Sequence, residues 1–84
     1  MANILVVDDD RNILDTFVDL FAEHGYTVET CRDGKQALEH LRSGAFDLLL
    51  LDVLIPNING FLLVEQMNED ESLKEIPVIV FSGI

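Results

Sequence analysis

Apolar and polar positions along the chain follow two periods that take turns. Ile4–Val7 is a short apolar run stopped by three aspartates, the pattern of a buried strand. Between residues 11 and 24, Ile13, Leu14, Phe17, Val18, Leu20 and Phe21 recur at three- and four-residue spacing, which predicts an amphipathic helix. Asp10 is placed to cap its start, and Gly25 suits the left-handed position past its end. Tyr26–Cys31 alternates apolar and polar, as a strand at a sheet edge does. Asp33 and Gln36 stand at capping-box spacing ahead of a second helical stripe through Ala37, Leu38 and Leu41, which closes near Gly44. Leu48–Leu51 is uninterrupted leucine between Asp47 and Asp52 and reads as a parallel strand buried on both faces. A third helix covers residues 60–69, with Leu63, Val64 and Met67 inward, and Pro77 introduces a last apolar run, Val78–Phe81.

Strands that alternate with helices in this way predict βαβ units, hence an α/β domain with a parallel sheet and helices on its faces. Right-handed crossovers leave few topologies. The half-polar segment 26–31 belongs at an edge, and the runs 4–7 and 48–51 belong inside. No repeat, linker or low-complexity tract interrupts the chain, so residues 1–84 read as one continuous domain.

Composition narrows the class. A chain of 84 residues buries only about 60–65% of its unfolded surface, enough for one small core. Its 49% hydrophobic content is too high for a disordered acidic tail. The net charge of −11 argues against binding nucleic acid or an anionic membrane through general electrostatics. A single cysteine excludes an internal disulfide framework, the apolar runs are far too short to span a bilayer, and Met1-Ala2-Asn3 lacks the basic start of a signal peptide. Together these point to the cytosol.

In a parallel sheet, the carboxyl ends of the strands share one rim, and ligands bind there. Asp8, Asp9 and Asp10 follow the first strand, Asp52 follows the third, and Ser82 ends the fourth. Adjacent first and third strands would bring carboxylates together, raising one another's pKa or recruiting a cation; an oxygen-only donor set favours Mg²⁺. A carboxylate beside such an ion can act as a nucleophile towards phosphorus. Taken singly, each aspartate is as well explained as a cap or loop former, Asp10 above all. The combination of both acidic sites after strongly apolar strands, with Pro56 and Gly60 at set distances beyond Asp52, favours the functional reading. His24 and His40 read as solvated, Cys31 as inert, Met67 and the phenylalanines as core, and Glu69-Asp70-Glu71 as a solvated loop.

Three segments, Val6-Val7-Asp8-Asp9, the stretch from Leu51-Asp52 to Gly60, and Phe81-Ser82-Gly83, resemble the receiver domain of two-component response regulators, the chemotaxis-type phosphoacceptor fold. The family pattern D-x-x-M-P-x-x-x-G is met except that Ile55 stands for Met. The resemblance implies a flavodoxin-like, doubly wound parallel sheet of order 2-1-3-4. It implies Asp52 as phosphoacceptor from the phosphohistidine of a sensor histidine kinase or phosphotransfer protein. Asp8, Asp9, Asp52 and the backbone carbonyl of Leu54 are then the Mg²⁺ ligands, and Ser82 is the switch hydroxyl. Such a module is not an enzyme in the usual sense.

A full receiver has five strands and five helices, so the resemblance also implies that the fourth helix, fifth strand and fifth helix are lacking here. The phosphate-pairing Lys and the aromatic switch residue lie in that part, and Lys74 is in the wrong segment to replace the former. The run 78–81 then becomes an apolar edge without the usual protection, to be filled by a further segment or by a second copy in a homodimer. Two rival functions remain on the sequence alone. One is a receiver-like interaction module that does not switch. The other is a haloacid-dehalogenase-type phosphatase built on Asp8-x-Asp10, against which stands Asn12 where that family has a hydroxyl.

Overall fold

Among the described residues, four parallel strands, β1 (Asn3–Val7), β2 (Thr27–Cys31), β3 (Leu48–Asp52) and β4 (Val78–Phe81), alternate with three helices, α1 (Arg11–Glu23), α2 (Gly34–Ser43) and α3 (Gly60–Asn68). The computed structural model describes residues 2–53, 55 and 57–81. The sheet order is β2-β1-β3-β4, with every pairing parallel, as a flavodoxin-like doubly wound sheet requires. The half-polar strand β2 sits at one edge, and the apolar β1 and β3 sit inside.

Each helix starts where a side chain satisfies free backbone N–H groups. Asp10 accepts from the Asn12 N–H at 2.9 Å, Asp33 from Gln36 N–H at 2.8 Å, and Asn59 from Leu62 N–H at 2.9 Å. The capping box at α2 departs from its usual form, because Gln36 Oε1 accepts from the N–H of Arg32 at 3.4 Å, not from that of Asp33. Past α1, Gly25 takes φ +83°, the left-handed conformation expected there.

The two sheet faces are covered unequally. Leu5, Val7, Leu49 and Leu51 face α2 and α3, where Leu38, Leu41, Leu63 and Met67 complete a buried cluster. The opposite face carries Ile4, Val6 and Leu50 against α1, from which Leu14 alone is fully buried. Phe17 stacks on Phe21 at 5.7 Å and meets Phe81 at 5.4 Å, but these rings are only half-buried. On β4, Ile79 and Val80 point to opposite faces and are 53% and 49% exposed. Phe61 departs from the core assignment at 75% exposed. The buried positions of α3 are Gly60, Leu63 and Met67, so the residue after Gly60 turns to the outer side.

The segment behind Asp52 is held by close backbone approaches. Gly60 donates its N–H to the Val53 carbonyl at 3.1 Å, and a Cβ on Gly60 would lie 2.7 Å from Val53 Cα. A Cβ on Gly34 would overlap the Ile58 carbonyl, an even closer approach, which seats the loop before α3 on the start of α2. Asn57 adopts φ +69° in that loop, a conformation asparagine tolerates better than most residues. Gly60→Ala is therefore expected to destabilise the fold by about 1–3 kcal/mol through overpacking. Urea unfolding checks this, and a midpoint equal to wild type would contradict the close approach.

Candidate functional site

The pairing of β1 with β3 runs Ile4↔Leu48 to Val7↔Leu51, so one step further along places Asp8 beside Asp52. Side chains alternate across a strand, and both aspartates fall on the face that carries Val6 and Leu50. Both are buried, at 1% and 6% exposed, while Asp9 is open to solvent. Each of the three offers one carboxylate oxygen, and these oxygens all lie within 4.8 Å of one another.

Asp8 is tied into the rim on two sides. Its N–H donates to the Cys31 carbonyl at 3.2 Å, and its Oδ1 accepts from the Asp10 N–H at 2.9 Å. Its Oδ2 is buried with no hydrogen-bond partner among the described residues. Burial pushes the Asp8 carboxyl above the ordinary value of 3.8, the Asp10 N–H works against that, and the charges of Asp52, Asp9 and Asp10 push it further up. A buried carboxylate with an unpartnered oxygen and like charges around it is the arrangement a hard divalent cation relieves. The donor set is oxygen only, which fits Mg²⁺ or Ca²⁺ and not a thiolate-seeking metal.

The remaining sequence candidates separate clearly. Asp10 caps α1 with its carboxylate, the role its position suggested, which commits the side chain that a dehalogenase-type phosphatase would need as acid/base. Leu54 and Ser82, expected as a carbonyl ligand and a switch hydroxyl, lie outside the described residues, as does Pro56. His40 Nδ1 sits 2.9 Å from the Gln36 carbonyl, within α2. The buried Cys31 thiol is pushed up to about 12 by desolvation, then by Asp33 and Glu29, so it is not a nucleophile at neutral pH. Asp70 is more than a solvated loop residue: it accepts from Ser72 N–H and Oγ and faces Arg42 at 3.6 Å. Those bonds from Ser72 hold its carboxyl below the ordinary value.

One participant at the rim carries no sequence signal. Arg32, one residue past β2, donates from Nη2 to the Asp9 carbonyl at 3.0 Å across 23 residues of chain. A lone arginine in a loop has no periodicity, and only the adjacency of β1 and β2 brings it there.

Relatives of known character share this architecture. The response regulator receiver domain model matches residues 4–84. Response regulator ArlR of Staphylococcus saprophyticus is 39% identical over 84 residues, which are 99% of this chain and 36% of that protein. The CAI-1 autoinducer sensor kinase/phosphatase CqsS of Vibrio cholerae is 36% identical over 81 residues, 95% of this chain and 12% of that protein. The chain thus spans a minority of each of these curated relatives. Among solved structures, the N-terminal domain of a response regulator receiver protein from Methanoculleus marisnigri superposes with a TM-score of 0.94 at 33% identity, covering 100% of this chain and 68% of that one. Response regulator protein TrrA of Thermotoga maritima, solved in complex with Mg(2+)-BeF, gives a TM-score of 0.91 at 32% identity, covering 100% of this chain and 71% of that one. A parallel sheet of order 2-1-3-4, an acidic cluster at its carboxyl rim and a family match over residues 4–84 agree: the chain belongs to the response regulator receiver domain family.

Proposed function

We propose that the chain is a phosphoacceptor module of two-component signalling in which Asp52 takes a phosphoryl group from the phosphohistidine of a sensor histidine kinase or phosphotransfer protein. Two observations carry this: Asp8, Asp9 and Asp52 each bring a carboxylate oxygen within 4.8 Å of the others, and the Asp8 carboxylate has a buried Oδ2 with no partner among the described residues. Asp8, Asp9 and Asp52 hold Mg²⁺, with the Leu54 carbonyl as a further ligand by family resemblance. Bound there, the ion supplies the positive charge that offsets the carboxylates and the incoming phosphoryl oxygens. TrrA, a relative of the same fold, was solved with Mg(2+)-BeF, which supports the assignment.

The rest of the chemistry belongs to the chain itself. A carboxylate oxygen of Asp52 attacks phosphorus, the phosphorus–nitrogen bond of the phosphohistidine breaks, and the imidazole leaves with the electron pair. β3 presents Asp52 at its carboxyl end, where the residue is buried between β1 and β4. Asp8 stays oriented through its bond to the Asp10 N–H, and Asp10 stays fixed as the cap of α1. Ser82, by the same resemblance, offers its hydroxyl to a phosphoryl oxygen.

Intact mass after incubation with Mg²⁺ and acetyl phosphate is expected to show one added phosphoryl group on wild type. Asp52→Asn, or wild type with a chelator, should show none, and equal labelling of Asp52→Asn would overturn the assignment. The acidic cluster also sets a pH dependence. Without metal, the native Asp8 carboxyl keeps its proton to a higher pH than the unfolded chain does. The resulting destabilisation is absent below 3.8 and grows as pH rises through the raised native value. Urea unfolding without metal between about pH 4 and pH 7 should show wild type losing stability relative to Asp8→Asn as pH rises. Millimolar Mg²⁺ should restore wild type and not the variant; a gap independent of pH, or equal stabilisation of both, contradicts this.

A further inference from the structure

The basic side chains divide by what they touch. Arg42 pairs with Asp70 at 3.6 Å and Lys74 with Glu71 at 2.9 Å. Among the described residues, Arg11, Arg32 and Lys35 form no ion pair, although the chain carries 16 carboxylates. Arg32 instead directs its guanidinium to a neutral acceptor, the Asp9 carbonyl, at 3.0 Å. In a chain so rich in carboxylates, that choice of partner calls for a physical reason.

The reason lies in how the acidic turn is held. Asp8 is restrained by burial, by its N–H to Cys31 and by its Oδ1 to Asp10. Asp10 is restrained as the cap of α1. Asp9, between them, is exposed, so packing constrains its carboxylate less than that of Asp8. The peptide that leaves Asp9 is held by Arg32, and its plane fixes the backbone torsion from which the Asp9 side chain projects. Arg32 is suited to this because its own backbone is anchored: its N–H donates to Gln36 Oε1 at 3.4 Å, directly after β2 ends beside β1. A charge-assisted hydrogen bond is about twice as strong as a neutral one and costs little reorganisation when the donor is pre-placed.

We infer that Arg32 is a positioning residue of the divalent-metal site, holding the Asp9 carbonyl so that the Asp9 carboxylate stays turned towards those of Asp8 and Asp52. This rests on the reading of those three carboxylates as the metal ligands. Two consequences of the guanidinium oppose each other and make the inference testable. Its charge repels a cation, so removing it would tighten Mg²⁺ binding; its hydrogen bond orders the turn, so removing it would weaken binding. The sign of the change decides between them.

The test is a calorimetric titration of the full chain with Mg²⁺ alone, at fixed low ionic strength, for wild type, Arg32→Gln, Arg32→Lys and Asp52→Asn. Arg32→Gln is expected to weaken Mg²⁺ about tenfold, the low end of what outer partners of metal ligands contribute. Arg32→Lys, which keeps a charged donor, should recover most of that loss. Metal-free amide exchange should quicken at Asp10 in Arg32→Gln while the amides of β1 and β3 stay protected. Unchanged or tighter Mg²⁺ binding in Arg32→Gln overturns the inference while Asp52→Asn still abolishes binding. If Asp52→Asn binds Mg²⁺ as wild type does, the metal-site reading falls first and the role of Arg32 with it.

Discussion

At the start of the two central strands, Asn3 and Asp47 exchange hydrogen bonds of 2.8 Å, the Asn3 N–H to Asp47 Oδ2 and the Asp47 N–H to the Asn3 carbonyl. The Asn3 side chain adds a third, to the Ala45 carbonyl at 3.0 Å. This clamp sets which residues of β1 and β3 lie opposite each other, and everything at the far rim depends on that register. A slip by one residue would turn Asp8 or Asp52 to the other sheet face, among the leucines packed on α2 and α3. The same slip would expose the apolar positions that bury the strands. Packing and chemistry therefore enforce one register together.

That register concentrates charge of one sign. A chain of net charge −11 folds two of its carboxylates into the sheet rim and surrounds them with two more. Burial above all, and after it the charges of Asp52, Asp9 and Asp10, push the Asp8 carboxyl above its ordinary value. The structure answers with local ordering: an N–H to one Asp8 oxygen, a helix cap on Asp10, and a guanidinium on the Asp9 carbonyl. The other Asp8 oxygen receives nothing comparable from the described residues, and a cation is the chemistry it suits.

Much of this was legible from residue order, and the exceptions share a cause. Uninterrupted apolar runs identify β1 and β3 as interior strands because only burial on both faces tolerates them. Asp10 and Asp33 are recognisable as caps because their role is local, within three residues of the N–H they satisfy. The convergence of Asp8, Asp9 and Asp52 follows once β1 and β3 are neighbours. Phe61 misled because hydrophobicity alone does not say which side of α3 it takes; that is decided by Gly60 approaching Val53. The Asn3–Asp47 clamp and the reach of Arg32 to Asp9 span 44 and 23 residues, and long-range polar pairs between single residues leave no pattern to read.

If Asp8, Asp9 and Asp52 hold Mg²⁺, then one site, and not diffuse acidity, selects the cation. Amide-resolved NMR with sub-stoichiometric Mn²⁺ in place of Mg²⁺ tests it most directly, because paramagnetic broadening marks where the ion resides. The expected result is broadening centred on Asp8–Asp10 and Asp52–Val53, with the second acidic segment, Asp70 and Glu71, left sharp. Broadening centred on Asp70 and Glu71, or spread evenly over the acidic surface, would contradict it.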